Sequence, residues 1–254
     1  MFLLCLVVKK TKPFLCLIFA AFKINYKLQA AQKFTLHQQT LWLSADRCIY
    51  WEEQQSLIIS DLHFGKTGHF RKSGIAVPQN IYKEDLQRLV SQLQFYKPQQ
   101  LVIVGDMFHS VANKELDFFK KWRYDFSHLH IQLVKGNHDI LKNEWYSDAD
   151  ISVTSHHLNI ASFCFVHDIS HACEPSANIN YYFSGHIHPC ILLRGLAKQT
   201  LSLPCYYFGD KFAVLPAFSK FTGGASIEPK SSDNVFAIIP ANPLKGQYAS
   251  VMKV

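Results

Sequence analysis

The chain has 254 residues, 48% of them hydrophobic and 18% charged, an ordinary globular composition able to bury the core of one good-sized domain or two small ones. Its formal net charge of +7 is misleading as a guide to partners. Residues 1–33 hold six lysines and no acid, which leaves 20 basic against 19 acidic residues in a nearly neutral body. Within that first segment the apolar runs "MFLLCLVV" and "FLCLIFAAF" are separated by "KKTKP", so neither reaches the ~20 apolar residues a membrane span needs. A signal peptide is an alternative reading, but no clean small-residue cleavage pattern follows. Residues 1–33 are therefore read as a basic, apolar extension outside the core, ahead of a single domain over 34–254. Seven cysteines, an odd number with no C-x-x-C pair, read as buried free thiols of a reducing cytoplasm.

From Phe34 onward one grammar repeats: a short β-rich apolar run, then a polar cluster. "QSLIIS" runs into Asp61, and "QLVIV" runs into Gly105 and Asp106. "HIQLV" is followed by Lys135, Gly136, Asn137, His138 and Asp139, "SFCFV" by His167 and Asp168, and "NYYFS" by Gly185, His186, Ile187 and His188. Between the first two strands the spacing predicts a helix from Pro78 to about Tyr96, with Ile81, Leu86, Leu89, Val90 and Leu93 on its apolar face. A second helix from about Asn113 to Tyr124 puts Leu116, Phe119 and Trp122 on one side. The last third, "ILLRGLAKQTLSLPCYYFGDKFAVLPAFSKFTGG", alternates short strands with Gly and Pro turns, which suggests a second sheet packed on the first. In a layered α/β protein the carboxyl ends of the strands lie on one side, where their loops can meet.

The stretch "LIISDLHFGKTGHF" allows two chemistries. Its Gly65-Lys66-Thr67 imitates a phosphate-cradling loop, but that loop needs a glycine where this chain has Ser60. The metal reading accounts for more. Asp61 and His63 can turn to one side at a strand end and grip one cation through oxygen and nitrogen. Asp106 adds a carboxylate, Asn137 an amide oxygen, and His138, His167, His186 and His188 add imidazoles. His171 is an alternative to His167, since both follow the same strand. Gly136 and Gly185 are expected to provide the backbone turns such clusters need. Lys66, Arg71 and Lys72 lie where a phosphate backbone could be met, or simply in a solvated loop.

The ordered set D-x-H, G-D, G-N-H-D, H and G-H-x-H resembles the calcineurin-like metallophosphoesterase superfamily. A narrower likeness, in "DLHFGKTGHFRKSGIAVP", "GDMFHS", "GHIHP" and "LPAFSKFTGG", is to the bacterial ligase-associated DNA damage response endonucleases called the PdeM family. The resemblance implies a four-layer α/β/β/α sandwich with two mixed sheets and flanking helices. It also implies two divalent metal ions, manganese first and iron or zinc as alternatives. Asp61, His63 and His188 would hold one, Asn137, His167 and His186 the other, and Asp106 would bridge. His138 would donate a hydrogen bond or proton to the phosphate ester, and Asp139 would fix its orientation. Lys66, Arg71 and His109 are candidate substrate contacts.

The implied activity is hydrolysis of a phosphodiester, with DNA as a candidate substrate in repair, a ligase or helicase as a partner known only by family likeness, and no membrane. The same chemistry on a small nucleotide or other small phosphate ester is one alternative, and a non-catalytic scaffold of the same fold is another.

Overall fold

The computed structural model describes residues 31–64, 66, 80–109, 114–172, 179–195 and 199–254. Most of the expected extension therefore lies outside the described residues, as do Arg71, Lys72, Pro78 and Asn113. The first strand, β1 (Gln32–Leu36), starts two residues before the expected domain boundary.

Among the described residues, β1 opens a seven-stranded sheet that continues through β2 (Gln39–Leu43), β3 (Ile49–Trp51), β4 (Ser56–Ser60), β5 (Gln100–Val104), β6 (His130–Val134) and β7 (Ile151–Thr154), in that spatial order. It is antiparallel from β1 to β4 and parallel from β4 to β7. The connections between its parallel strands carry α1 (Asn80–Tyr96), α2 (Lys114–Asp125) and α3 (Asn143–Asp148).

The second sheet starts with β8 (His157–Ile160), β9 (Phe163–Val166) and β10 (Tyr181–Ser184), and adds β11 (Pro189–Arg194), β12 (Thr200–Phe208), β13 (Phe212–Val214) and β14 (Ala225–Ser226). Its order is β14-β11-β12-β13-β10-β9-β8, with β15 (Asn234–Ile239) pairing β12 and β16 (Ser250–Lys253). Both sheets are mixed, as expected.

The period-two alternation of each strand sorts its side chains between layers. Leu57 and Ile59 of β4, with Leu101 and Ile103 of β5, face the helices and pack against Leu86, Leu89, Val90, Leu93, Leu116, Phe119 and Trp122. The described side chains of both expected apolar helix faces are thus core. Ile58, Val102 and Val104 point the other way, to meet Phe163, Phe165, Tyr181 and Phe183 of the second sheet. Each large side chain buried there contributes about 1.5–3 kcal/mol. Beyond that sheet, Cys164, Val166 and Tyr182 pack with Ile169, Ala172, Ile179 and Phe212. Among the described residues this outer layer is thin, with one 3-10 turn at Ile169–His171.

Register places the site. Ser60, Val104 and Val134 pair across β4, β5 and β6, and Val166, Ser184 and Val214 pair across β9, β10 and β13. Every run that ends in a metal-ligand type thus ends level with its neighbours, on the carboxyl side. The two sheets are joined at this edge: the Phe218 N–H donates to the Ser60 carbonyl at 2.7 Å and the Leu215 N–H to the Ser184 carbonyl at 2.8 Å.

Candidate metal centre

Asp61 is fully buried at the end of β4 and lies between two groups of donors. Its Oδ2 is 3.7 Å from His188 Nε2, and its Oδ1 is 3.7 Å from His167 Nδ1. Asp61, His63 and His188 form one group with metal-ligand spacing, and Asp61, Asp106 and His167 form another. Asp106 Oδ1 stands 3.8 Å from His167 Nε2, while His186 Nδ1 lies 3.1 Å from the same nitrogen. Asp61 is common to both groups, and Asp106 joins the second. Asn137 lies exposed in the turn between Gly136 and His138, and His171, exposed in the 3-10 turn, is a member of neither group.

The donor set fits a cation on a direct test. Asp61 Oδ1, both ring nitrogens of His63, His167 Nδ1 and His188 Nε2 are buried without a hydrogen-bond partner. Buried polar atoms are normally paired, so this concentration of orphans at one edge marks a place where positive charge completes the bonding. The nearest carboxylate-to-imidazole separations, 3.7–3.8 Å, exceed hydrogen-bond reach.

The electrostatics agree. Burial, with Lys66 next, pushes the His63 imidazole down to about 3 against the opposing pull of Asp61, so at neutral pH it is the uncharged, lone-pair form a metal requires. Burial also lowers His167, against Asp61 and Asp106. At Asp61 burial acts upward, but the surrounding histidines, His188 first, outweigh it and hold the carboxyl below its ordinary range. Burial lowers Lys66, and the Asp106 and Asp61 carboxylates oppose that shift.

The backbone here is strained. Asp61, His63, Asp106, His186 and His188 all have left-handed φ, from 31° to 67°, a conformation that costs non-glycine residues about 1 kcal/mol or more each. The donors themselves, rather than Gly136 and Gly185, make the turns. Those two glycines serve close approach: a Cβ at Gly136 would collide with Asp106, and one at Gly185 with Asp61. Gly105 does both, with φ of 79° and the His167 ring where its Cβ would be.

His138 stands over this floor with its side chain 50% exposed and its Nε2 4.0 Å from Asp106 Oδ2. Its N–H donates to Asp106 Oδ1 at 2.9 Å, and its ring packs on His109 at 4.1 Å between centroids. His109 also lies 5.7 Å from His63, so it joins the group. Asp139 does not take the role expected for it. Its buried carboxylate accepts the N–H groups of Met107, Phe108 and Gly136, at 3.2, 2.9 and 2.9 Å, tying the β5 loop to the β6 loop. It braces the backbone that carries Asp106 and His138, and no hydrogen bond joins it to the His138 ring.

A family model described as calcineurin-like phosphoesterase matches residues 56–147. The crystal structure of the nuclease MPE from Pseudomonas putida is 30% identical, covers 82% of this chain and 96% of its own, and superposes with a TM-score of 0.69. The chain belongs to the calcineurin-like phosphoesterases. This phosphoesterase is accordingly a metal-dependent hydrolase of phosphate esters, with the two-sheet fold of its family. More distant structures are a protein of unknown function from Aquifex aeolicus (18% identity, 52% of this chain, 78% of that one, TM-score 0.38) and a phosphoesterase from E. coli (13%, 73%, 88%, TM-score 0.37). The search of curated proteins gave no match. Among the described residues, no helix is long and apolar enough to cross a membrane.

Two features escaped the sequence reading. One is a buried polar stripe on α1, Asp85, Arg88 and Gln92, at helical spacing beside the apolar face. The other is the task of segment 216–223, read in the sequence only for its turns and its family likeness: it carries the hydrogen bonds of that stripe to the site. Polar residues three and four apart beside the apolar face were the available signal.

Proposed function

We propose that this phosphoesterase cleaves phosphodiester bonds in DNA with two bound divalent metal ions, as a nuclease of the PdeM type. The observation that carries the metal part is the convergence of Asp61, His63, Asp106, His167, His186 and His188 around orphaned buried donors. The nuclease part is supported by the likeness, over nearly the whole of that chain, to a protein named a nuclease.

Asp61, His63 and His188 would hold one ion, with His167, His186 and Asn137 holding the other and Asp106 between them. Manganese is the first choice and iron or zinc follow, since a mixed oxygen and imidazole set suits those ions better than magnesium. When bound, such a pair supplies a hydroxide near neutral pH and neutralises the phosphoryl oxygens.

The chain's own groups do the rest. His138 is exposed enough to reach a substrate, and its ring donates a hydrogen bond to a phosphoryl oxygen or a proton to the leaving alkoxide. Packing on His109 limits the swing of that ring, and the His138 N–H bond to Asp106 ties its backbone to the metal-facing carboxylate. Lys66 adds positive charge where an anionic backbone would enter; Arg71 is proposed for the same task on sequence grounds alone. Cys48, Cys164, Cys190 and Cys205 are free thiols, which suits a cytoplasmic enzyme. A ligase or helicase partner in DNA repair is part of this reading through family likeness.

The test is activity with manganese on plasmid and single-stranded DNA against bis(p-nitrophenyl) phosphate. Cleavage of DNA is expected. Turnover of the small diester with no DNA cut at any salt concentration would restrict the enzyme to small phosphate esters.

A further inference from the structure

The segment 216–223 is a strap laid across the first donor group, and charged side chains hold it by its backbone. Arg47 Nη1 donates to the carbonyls of Ala217 and Ser219, at 3.2 and 2.8 Å. Arg88, buried in α1, donates to the Phe218 carbonyl and lies over the Phe218 ring at 4.2 Å. Asp85 pairs with Arg88 at 2.9 Å and accepts the Lys220 N–H with both oxygens, at 3.3 and 3.4 Å. The strap then does two things at the site. Its Phe218 and Ser219 N–H groups bond the carbonyls of Ser60 and Asp61, at 2.7 and 3.3 Å, where Asp61 takes its left-handed turn. Its Gly223 carbonyl lies 3.0 Å from His188 Nδ1.

That last contact decides a tautomer. A carbonyl oxygen can only accept, so Nδ1 of His188 carries the hydrogen, and the lone pair is left on Nε2, the nitrogen facing Asp61. A group of two guanidiniums and a carboxylate, with Asp85 and Arg88 buried and Arg47 half-buried, is a poor way to stabilise a fold, because desolvation offsets the attraction. It is a good way to hold backbone carbonyls at set places, since a planar fork bonds in fixed directions.

We propose that Arg47, Asp85 and Arg88 are positioning residues for the first metal site: through the strap they fix the Asp61 turn and hold His188 with its Nε2 lone pair directed at the ion. This rests on the reading of His188 as a ligand. None of the three belongs to either donor group.

The experiment uses the full chain as Arg88→Met and Asp85→Asn, with His188→Ala as control. Nitrogen-15 NMR of the metal-free protein reads the His188 tautomer, assigned by the signal lost in His188→Ala, and calorimetric titration with Mn²⁺ reads affinity. The wild type is expected to show hydrogen on Nδ1. Both strap variants are expected to replace that pattern with a mixed one and to weaken one Mn²⁺ affinity by about 10–100-fold, as loss of a ligand's supporting partners does. At saturating manganese their KM for substrate should match the wild type. Asp85→Asn keeps the side chain's size and carries the test should Arg88→Met fail to fold.

A folded strap variant with the wild-type tautomer and wild-type Mn²⁺ affinity would reduce the network to a structural one and overturn the proposal. If His188→Ala weakens Mn²⁺ while the strap variants do not, positioning alone falls. If His188→Ala leaves Mn²⁺ binding intact, the ligand reading falls with it.

Discussion

The two halves of the metal centre are built differently. On the Asp61, His63 and His188 side the two chain-adjacent donors are buried, His188 is 17% exposed at its side chain, and a strap with its own charged anchors lies over them. On the other side Asp106 and His167 are buried, but His186 is 39% exposed at its side chain and Asn137 is exposed in a turn. The first donor group is thus a preset cage and the second is more open to solvent. His138 stands above the shared floor, toward solvent.

That contrast can be broken outright at Asp61, which belongs to both groups. Asp61→Ala is expected to remove both ions and to cost more than the ~10²–10³-fold lost with a single transition-state donor; metal analysis of the purified variant and its turnover check this. His138→Ala should separate chemistry from metal: turnover falls by about 10²–10⁴-fold while metal content stays at the wild-type level. Unchanged turnover would remove His138 from the mechanism.

Gly105→Ala sharpens the comparison from the open side. Its Cβ would meet the His167 ring at a φ that disfavours any side chain, so stability should fall by about 1–3 kcal/mol. Thermal unfolding of the metal-free protein measures that loss, and a weaker second Mn²⁺ affinity with the first preserved shows that it stays local. The smallest effect is that of pH on the buried side. Burial alone would lower His188, but the Asp61 carboxylate outweighs it and lifts the imidazole above its ordinary value of 6.5. A raised pKa means the proton competes with metal over a wider range. First-site affinity should therefore fall as pH drops through that raised value, by at most about tenfold per unit, with proton release on Mn²⁺ binding measurable in buffers of different ionisation enthalpy.

The site was legible in the sequence to the extent that chemistry followed directly on an apolar run. Asp61, Asp106, His167 and His186 each stand one or two residues after a strand that reads as buried on both faces, so pattern and ligand type coincide. Both long helices were legible because their apolar faces repeat over several turns. Asp139 was misjudged because proximity in sequence to His138 suggested a bond that the turn does not make; its carboxylate points back at three backbone N–H groups. The anchors Arg47, Asp85 and Arg88 were missed because their partners are backbone carbonyls and N–H groups about 130 to 170 residues away, and a backbone group leaves no mark in a sequence.

By itself, the order of residues determined the strands, the apolar faces and the kinds of donor at the strand ends, because periodicity and residue chemistry are local properties. Tertiary structure alone decided that Asp61 joins both donor groups, that the donors themselves adopt the strained turns, and that a remote strap sets the His188 tautomer. Those depend on how two sheets meet at one edge, and the distances across that meeting are fixed by packing between segments far apart in the chain.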